Sequence, residues 1–323
     1  MAIARHSIHV YQLPKLGTGF IRSYDIFNYQ HTIVNRGWFD TASCDIAVRS
    51  EGEGQQILNQ YLGCFVQVYV DNPAEPVWEG LINRITFNAG DASYTVSLDE
   101  MANRVSVIYT GAANAAAETT PVNNAASQAI YGIKQEQIEF GADPSAGTQR
   151  TVLQNTILAQ RAFPQASIGQ ASGQANLVHF ECIGIFHTLE WQKAFSGLTS
   201  ATTAAGTWVG TVLGTVANGA TFFDNTNLTL VSANAATIPN QVRGENYWNY
   251  LQKIADMGDG TNYWVCGVTP TNPNTGKRLF YYRIANTAFD YTALQADGLI
   301  PRNASGKLIP PWRVIPDRSI RYT

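Results

Sequence analysis

The feature that most restricts this chain is the run of short alternating segments in its first 110 residues, each bounded by turn residues. Alternation of apolar and polar side chains is the period of a strand whose two faces meet different surroundings. Ser7–Tyr11, Tyr24–Tyr29 and Ala42–Val48 read this way, the last placing Cys44, Ile46 and Val48 on one face. Gly63–Val70, Val77–Phe87 and Ser93–Leu98 continue the series with aromatic and β-branched residues, which suit a pleated surface. Asp71-Asn72-Pro73 and Asn88–Asp91 supply turns, and Gly80 marks a bulge or bend. Asp99–Arg104 reads as a short turn or helix before Val105–Tyr109 resumes extended structure. Strands this short and this frequent predict a small barrel or sandwich.

The composition changes at residue 111. Residues 111–128 hold Ala, Asn, Thr and Gly with almost no large apolar group, so they read as a loop or linker. Ser127–Gly132 is a short apolar stretch, and Gly141–Pro144 a turn. From Thr148 to Phe163, Val152, Leu153, Ile157, Gln160 and Arg161 recur at helical spacing until Pro164 stops the pattern. A Gly/Ser/Gln stretch at 167–175 leads into Leu177–Leu189, a strand pair or one bent strand with Gly184 at the bend. Residues 197–240 mix Thr, Ala and Gly with Val, Leu, Phe and Trp, and strands are expected there. Gly244–Asn246 opens a helix striped by Trp248, Leu251, Ile254 and Ala255, and Met257–Gly260 ends it. Tyr263–Val268 and Arg278–Ile284, joined by the turn Asn272–Gly276, predict a hairpin.

The expected fold class is mainly β (α+β), with two small β-barrel-like domains and mixed helix and strand inserts between them. The expected divisions are a barrel-like domain at 1–110 and a partly helical linker at 111–176. A β-rich middle follows at 177–243, then a helix and hairpin at 244–323 completing the second barrel-like domain.

Charged residues make up only 14% of the chain and the net charge is −3. A neutral polar surface suits subunit packing, because little charge must be stripped of water when copies meet. The scattered Lys and Arg argue against binding that neutralises phosphates, so no specific nucleic-acid binding is expected. No apolar run reaches the roughly 18 residues a spanning helix needs, so no membrane anchor is expected. Met1–His6 lacks the apolar core of a secretory signal, which implies assembly in a cytoplasm. There Cys44, Cys64, Cys182 and Cys266, without a C-x-x-C pair, read as buried free thiols.

Candidate chemistry is sparse. His179, Cys182 and His187 contain metal-ligating types, but in a strand His179 and Cys182 point to opposite faces, and Cys182 shares its face with Phe180 and Phe186. Asp256–Asn262 has the Asp/Gly texture of a calcium loop, yet Val268 falls near the twelfth position, where a carboxylate is needed. A helix end followed by an Asp-Gly turn explains it better. Glu181 and Glu190 could serve glycan cleavage only if they faced each other across a bond, and nothing in their spacing requires that. No Gly-x-Ser-x-Gly elbow or phosphate loop occurs. Trp78, Trp191, Trp208, Trp248, Trp264 and Trp312 could line a sugar-binding face, though their patterns favour a core or subunit contact. Asn227-Leu228-Thr229 matches a glycosylation sequon, without meaning in a cytoplasm. No catalytic, cofactor-binding or metal residue is nominated, and no cofactor is expected.

One resemblance organises these elements. Val77–Ile82, a turn and Tyr94–Leu98 resemble the first barrel of phage tail hub (baseplate hub) proteins. The later Trp/Leu-striped helix 245–257 and the hairpin ending in Leu279-Phe280-Tyr281 are similar to that family's late unit. Tyr131–Lys134, a helix from about 148 and Phe180–Gly184 fall between them in the same order. The resemblance implies a structural virion protein at the tail tip, probing no bond chemistry and acting through assembly. It implies three copies in a ring whose six barrels match a sixfold tail tube. The implied partners are copies of itself, the tail tube or distal tail protein, a tip spike or fibre, and the tape-measure protein, with DNA passing through the bore. Pro316–Thr323 reads as a strand that either pairs with a partner or continues beyond the sequence. The alternatives are a sixfold adaptor ring, a glycan-binding receptor-recognition protein of the tail, and a cell-wall hydrolase.

Overall fold

The computed structural model describes residues 6–12, 19–70, 76–111, 116–142, 147–171, 176–193, 203–216, 219–238, 244–271 and 278–285. The chain begins with β1 (His6–Tyr11), β2 (Phe20–Val34), β3 (Trp38–Ala47), helix α1 (Glu51–Gln60) and β4 (Phe65–Val70). Next come β5 (Trp78–Ala89), β6 (Ala92–Ser97), β7 (Arg104–Thr110), β8 (Ala116–Glu118), β9 (Val122–Asn123) and α2 (Ala125–Tyr131). They are followed by β10 (Gln135–Ala142), α3 (Gly147–Arg161), β11 (Ala166–Gln170), β12 (Leu177–Ile183) and a 3-10 helix, Ile185–Leu189. The described chain closes with α4 (Ala205–Thr215), α5 (Gly219–Phe222), α6 (Tyr247–Met257), β13 (Trp264–Val268) and β14 (Phe280–Ile284).

The fold is mainly β, built on a closed six-stranded antiparallel barrel with helical inserts. The ring runs β4-β1-β2-β3-β12-β5 and returns to β4. Long β5 makes closure possible by changing partner along one edge. Trp78–Leu81 pair with β4, and Arg84–Ala89 pair with β6. Along the other edge β5 pairs with β12, where an extra residue, Asn83, falls between the partners of Glu181 and Cys182. Such a bulge sharpens the local twist, and a small barrel needs that. Ile8, Val10, Ile46, Val66, Ile82, Ile85, Phe87, Val178 and Phe180 fill the interior, each 1% exposed or less. Helix α1 plugs it with Ile57 and Leu58. Gly54 lies where a Cβ would meet the Phe87 ring at 2.3 Å, so only glycine fits this close approach.

The barrel therefore does not close within residues 1–110, because β12 supplies its sixth strand. Strand β7 leaves it for a separate sheet, parallel to β10 and antiparallel to β8 and β9. The expected loop at 111–128 thus contains β8, β9 and the start of α2. Its short polar residues pair through backbone groups, and large side chains are not required for that. Helix α3 packs on β7 through Gln154 and Leu158, joined by Ala162 just past its end, while Val152, expected on the apolar stripe, is 58% exposed. Buried Asn103 ties this layer together: its side chain bonds Ser127 Oγ at 3.1 Å, the Gly132 carbonyl at 2.8 Å and the Lys134 amide at 2.8 Å.

The expected β-rich middle is corrected more strongly. Beyond Gly184 the chain turns into the 3-10 helix, and most of the described part of 203–238 is helical or irregular. Trp208, Val209, Val212 and Leu213 of α4 are buried on one face while Thr207, Thr211 and Thr215 are exposed on the other, so a helical stripe lies within a Val/Thr/Gly composition that imitates a strand. A five-residue strand, β11, occupies part of the expected Gly/Ser/Gln linker. In the C-terminal unit, α4, α5, α6 and the hairpin β13–β14 share a second core, which reaches the barrel's outer face at Phe65 and Leu81. Asn246 caps α6 by accepting from the Asn249 amide, and Gly258 ends it at φ 54°, as the spacing predicts. The turns at 71–73 and 272–276, the residues after Ala285 and Trp312 lie outside the described residues.

Gly184 gives the tightest test of this packing, since a Cβ there would sit 1.6 Å from the Phe39 carbonyl oxygen. Gly184→Ala is expected to cost at least about 3 kcal/mol in denaturant unfolding. Gly214→Ala, in α4 with open space around it, is expected to change stability by less than about 1 kcal/mol.

Candidate functional site

The residue types that could have formed a metal or catalytic cluster are dispersed by the fold. His179 stands on the outer face of the barrel, where its Nδ1 lies 2.6 Å from Asp45. Cys182 points into the barrel with Phe180, as alternation predicts. Phe186 does not share that face; it belongs to the second core, because the chain turns at Gly184. His187 lies between the two units. Among the described residues no group of three or more His, Cys, Asp or Glu is gathered for a metal ion. The cysteines are buried free thiols, and burial pushes the Cys266 thiol up to about 12. Glu181 pairs with Arg84 at 3.2 Å and Glu190 with His187 at 3.0 Å, so each carboxylate serves a different ion pair. Asp259 accepts from the Thr261 and Asn262 amides and from Asn262 Nδ2, which is the expected helix end and Asx turn.

Polar chemistry concentrates instead at the seam between barrel and C-terminal unit. Glu79 of β5, 1% exposed, receives Arg278 Nε at 3.0 Å, the Thr271 amide at 2.7 Å and its hydroxyl at 2.8 Å. Its other oxygen takes Gln67 Nε2 at 3.0 Å. Arg278 also donates to the Phe222 carbonyl and lies 4.0 Å over the Phe65 ring. Nearby, the tip of the β2–β3 hairpin enters the hairpin β13–β14. The Gly37 amide donates to the Cys266 carbonyl at 2.8 Å, and Arg36 pairs with Asp256. A Cβ on Gly267 would meet the Gly37 Cα at 2.8 Å, so two glycines allow the backbones to cross. On the third side His187 bridges Asp40 of β3 at 2.9 Å and Glu190 at 3.0 Å.

Among the described residues, surface features are of three kinds. A shallow groove of about 390 Å³ between β2 and α1 is lined by Arg22, Tyr24, Phe27, Arg49 and Glu53. Within it Glu53 pairs with Arg22 at 3.0 Å and accepts from the Arg49 amide at 2.8 Å. Exposed apolar side chains include Phe20, Phe163 and Tyr263. Strand β11, exposed along its whole length, forms the outer edge of the β5–β6–β11 arm. Of the tryptophans, Trp78, Trp208, Trp248 and Trp264 are buried in the cores, and Trp191 is half-buried. None of the seam contacts was legible beforehand, since Glu79 and Arg278 lie 199 residues apart and neither has a local motif.

No protein-family model, curated protein or solved structure matches the chain.

The seam has a pH signature. Burial lowers the His187 pKa, but hydrogen bonds to Asp40 and Glu190 outweigh it and lift the group from 6.5 to about 9. A folded-state pKa above the unfolded one means the fold binds the proton more tightly. The stability gained is therefore complete below about 6.5 and lost as pH rises through about 9, on the order of 3 kcal/mol in all. Denaturant midpoints are expected to fall between pH 7 and pH 9.5, and His187→Gln is expected to flatten that slope. At the seam's centre, Glu79→Gln leaves Arg278 buried without its counter-ion and is expected to cost about 3–5 kcal/mol in the same assay.

Proposed function

We propose that the chain is a structural subunit of a ring at the tip of a phage-type tail. It would join the tail tube to the tip spike or fibre and surround the path of the DNA. The observation that carries this reading is a closed small antiparallel barrel followed by a Trp/Leu-striped helix and hairpin, in the order on which the resemblance rests. A surface with few charges supports it, because ring contacts then strip little charge of water. Scattered Lys and Arg support it as well, since a strongly basic bore would retain the passing phosphates. The proposed partners are other copies of the chain, the tube or distal tail protein, the spike or fibre, and the end of the tape measure. Work of this kind needs no bond chemistry and no cofactor.

A sixfold adaptor ring is the second reading, and one observation favours it. The described residues hold one closed barrel, so six copies would supply six barrels to a sixfold tube. Glycan binding is weighed down by the burial of Trp78, Trp208, Trp248 and Trp264, which leaves them off any sugar-binding face.

Electron-microscope class averages of the purified protein test the proposal. A threefold ring with an open bore is the expected result. A sixfold ring would retain the tail assignment and move the chain to the adaptor position. Particles without rotational symmetry, both alone and after addition of tail tubes, would overturn both readings.

A further inference from the structure

Among the described residues, the arm β5–β6–β11 ends in an edge that no charge, proline, bulge or covering element protects. Natural edge strands are blunted by charge, proline, bulges or a covering element. Strand β11 reads Ala166-Ser167-Ile168-Gly169-Gln170, with no charge and no proline, and all five residues are exposed. Its pairing with β6 is regular from Ala166 against Val96 to Gln170 against Ala92. The edge is also apolar on one face. Phe87, Tyr94 and Ile168 lie opposite one another on successive strands, carrying the barrel's interior face outward to Ile168, which is 72% exposed.

The hydrogen-bond phase of this edge can be assigned. The Ala171 amide donates to the Asp91 carbonyl at 2.8 Å, so residue 171 bonds inward toward the β6 side. In an antiparallel ladder the inward and outward residues alternate. Ser167 and Gly169 therefore bond to β6, while Ala166, Ile168 and Gln170 direct N–H and C=O outward. We infer that β11 pairs antiparallel with β11 of a second copy, across a twofold axis at Ile168. In that register Ile168 meets its own copy and Ala166 meets Gln170, so every outward backbone group finds a partner. On the opposite face Ser167 meets Gly169, two small residues that leave room for close approach. A twofold axis brings identical side chains together, and only a strand without charge there escapes like-charge repulsion. The strand fits its own copy on backbone phase, size and charge.

The pairing goes beyond the ring reading and stands without it. An isologous contact on every subunit of a ring joins two rings face to face, and on a chain that forms no ring it gives a dimer. Either way it doubles the mass. Light scattering on wild type and Ile168→Lys tests this, because lysine at the axis sets two like charges opposite each other. The mass of Ile168→Lys is expected to be half that of wild type, with an unchanged far-UV circular dichroism spectrum showing that the exposed site tolerates lysine. Ile168→Val is expected to keep the full mass. Equal masses for wild type and Ile168→Lys, or a monomeric wild type, would overturn the pairing. Ring symmetry in class averages of Ile168→Lys reports on the ring separately: a single ring at half mass supports both ideas. A monomer arising from a wild-type dimer supports the strand pairing alone, and a ring of unchanged mass supports the ring alone.

Discussion

The carboxylate of Glu79 is the point on which the two halves of the molecule are set. It lies on the barrel's long bent strand and receives donors from Gln67, Thr271 and Arg278, nearly sealed from water. A buried ion pair is a poor source of net stability, because removing two charges from water costs about as much as their attraction returns. What it supplies here is position. The large apolar contact of Phe65 and Leu81 with the second core is non-directional and would tolerate sliding. A displaced Glu79 would keep its charge and lose its donors. The glycine crossing at Gly37 and Gly267 and the His187 bridge fix the same seam at two further places, so barrel and C-terminal unit share one register.

The sequence discloses elements whose signal is local and conceals those whose reason lies far along the chain. Strands β1 to β6 alternate or carry β-branched residues, and α6 shows both caps and a stripe, so their type follows from neighbouring residues, although β2 extends well beyond Tyr24–Tyr29 at both ends and β3 begins before Ala42. Helix α1 escapes this reading because Glu51-Gly52-Glu53-Gly54 is a poor helix former and only Ile57 and Leu58 are strongly apolar. Its legible signal is the capping box: Ser50 accepts from the Glu53 amide, three residues on. Helix α4 is missed for another reason: the period is there in Trp208, Val209, Val212 and Leu213, but its Val, Thr and Gly residues favour a strand reading over a helical one. The alternation in β12 identifies a strand but not the gap between β3 and β5 that it fills.

The candidate site follows the same division. Cys182 inside, the Asp259 turn and tryptophans committed to cores all obey local rules. The polar seam does not: each partner is ordinary in its own segment, and only the docking of two units makes Glu79 and Arg278 a pair. The free edge of β11 is a third case. Its neutral residues resemble a linker when read alone, and they acquire meaning once β6 holds them extended.

The late arrival of β12 has a consequence for synthesis. Strands β3 and β5 are both complete by residue 89, yet the strand that joins them begins at Leu177. Contacts so distant in sequence are slow to form, because a long loop must be closed before any pairing offsets its entropy. On a translating ribosome, at about 5–20 residues per second, the two edges would wait several seconds for their missing neighbour. During that interval the nascent chain is an open sheet with an apolar interior, the state in which one copy can be mistaken for another. Dependence on chaperones, and a yield that improves when translation is fast relative to collisions between chains, are the cellular marks of a barrel whose last stave is made so late.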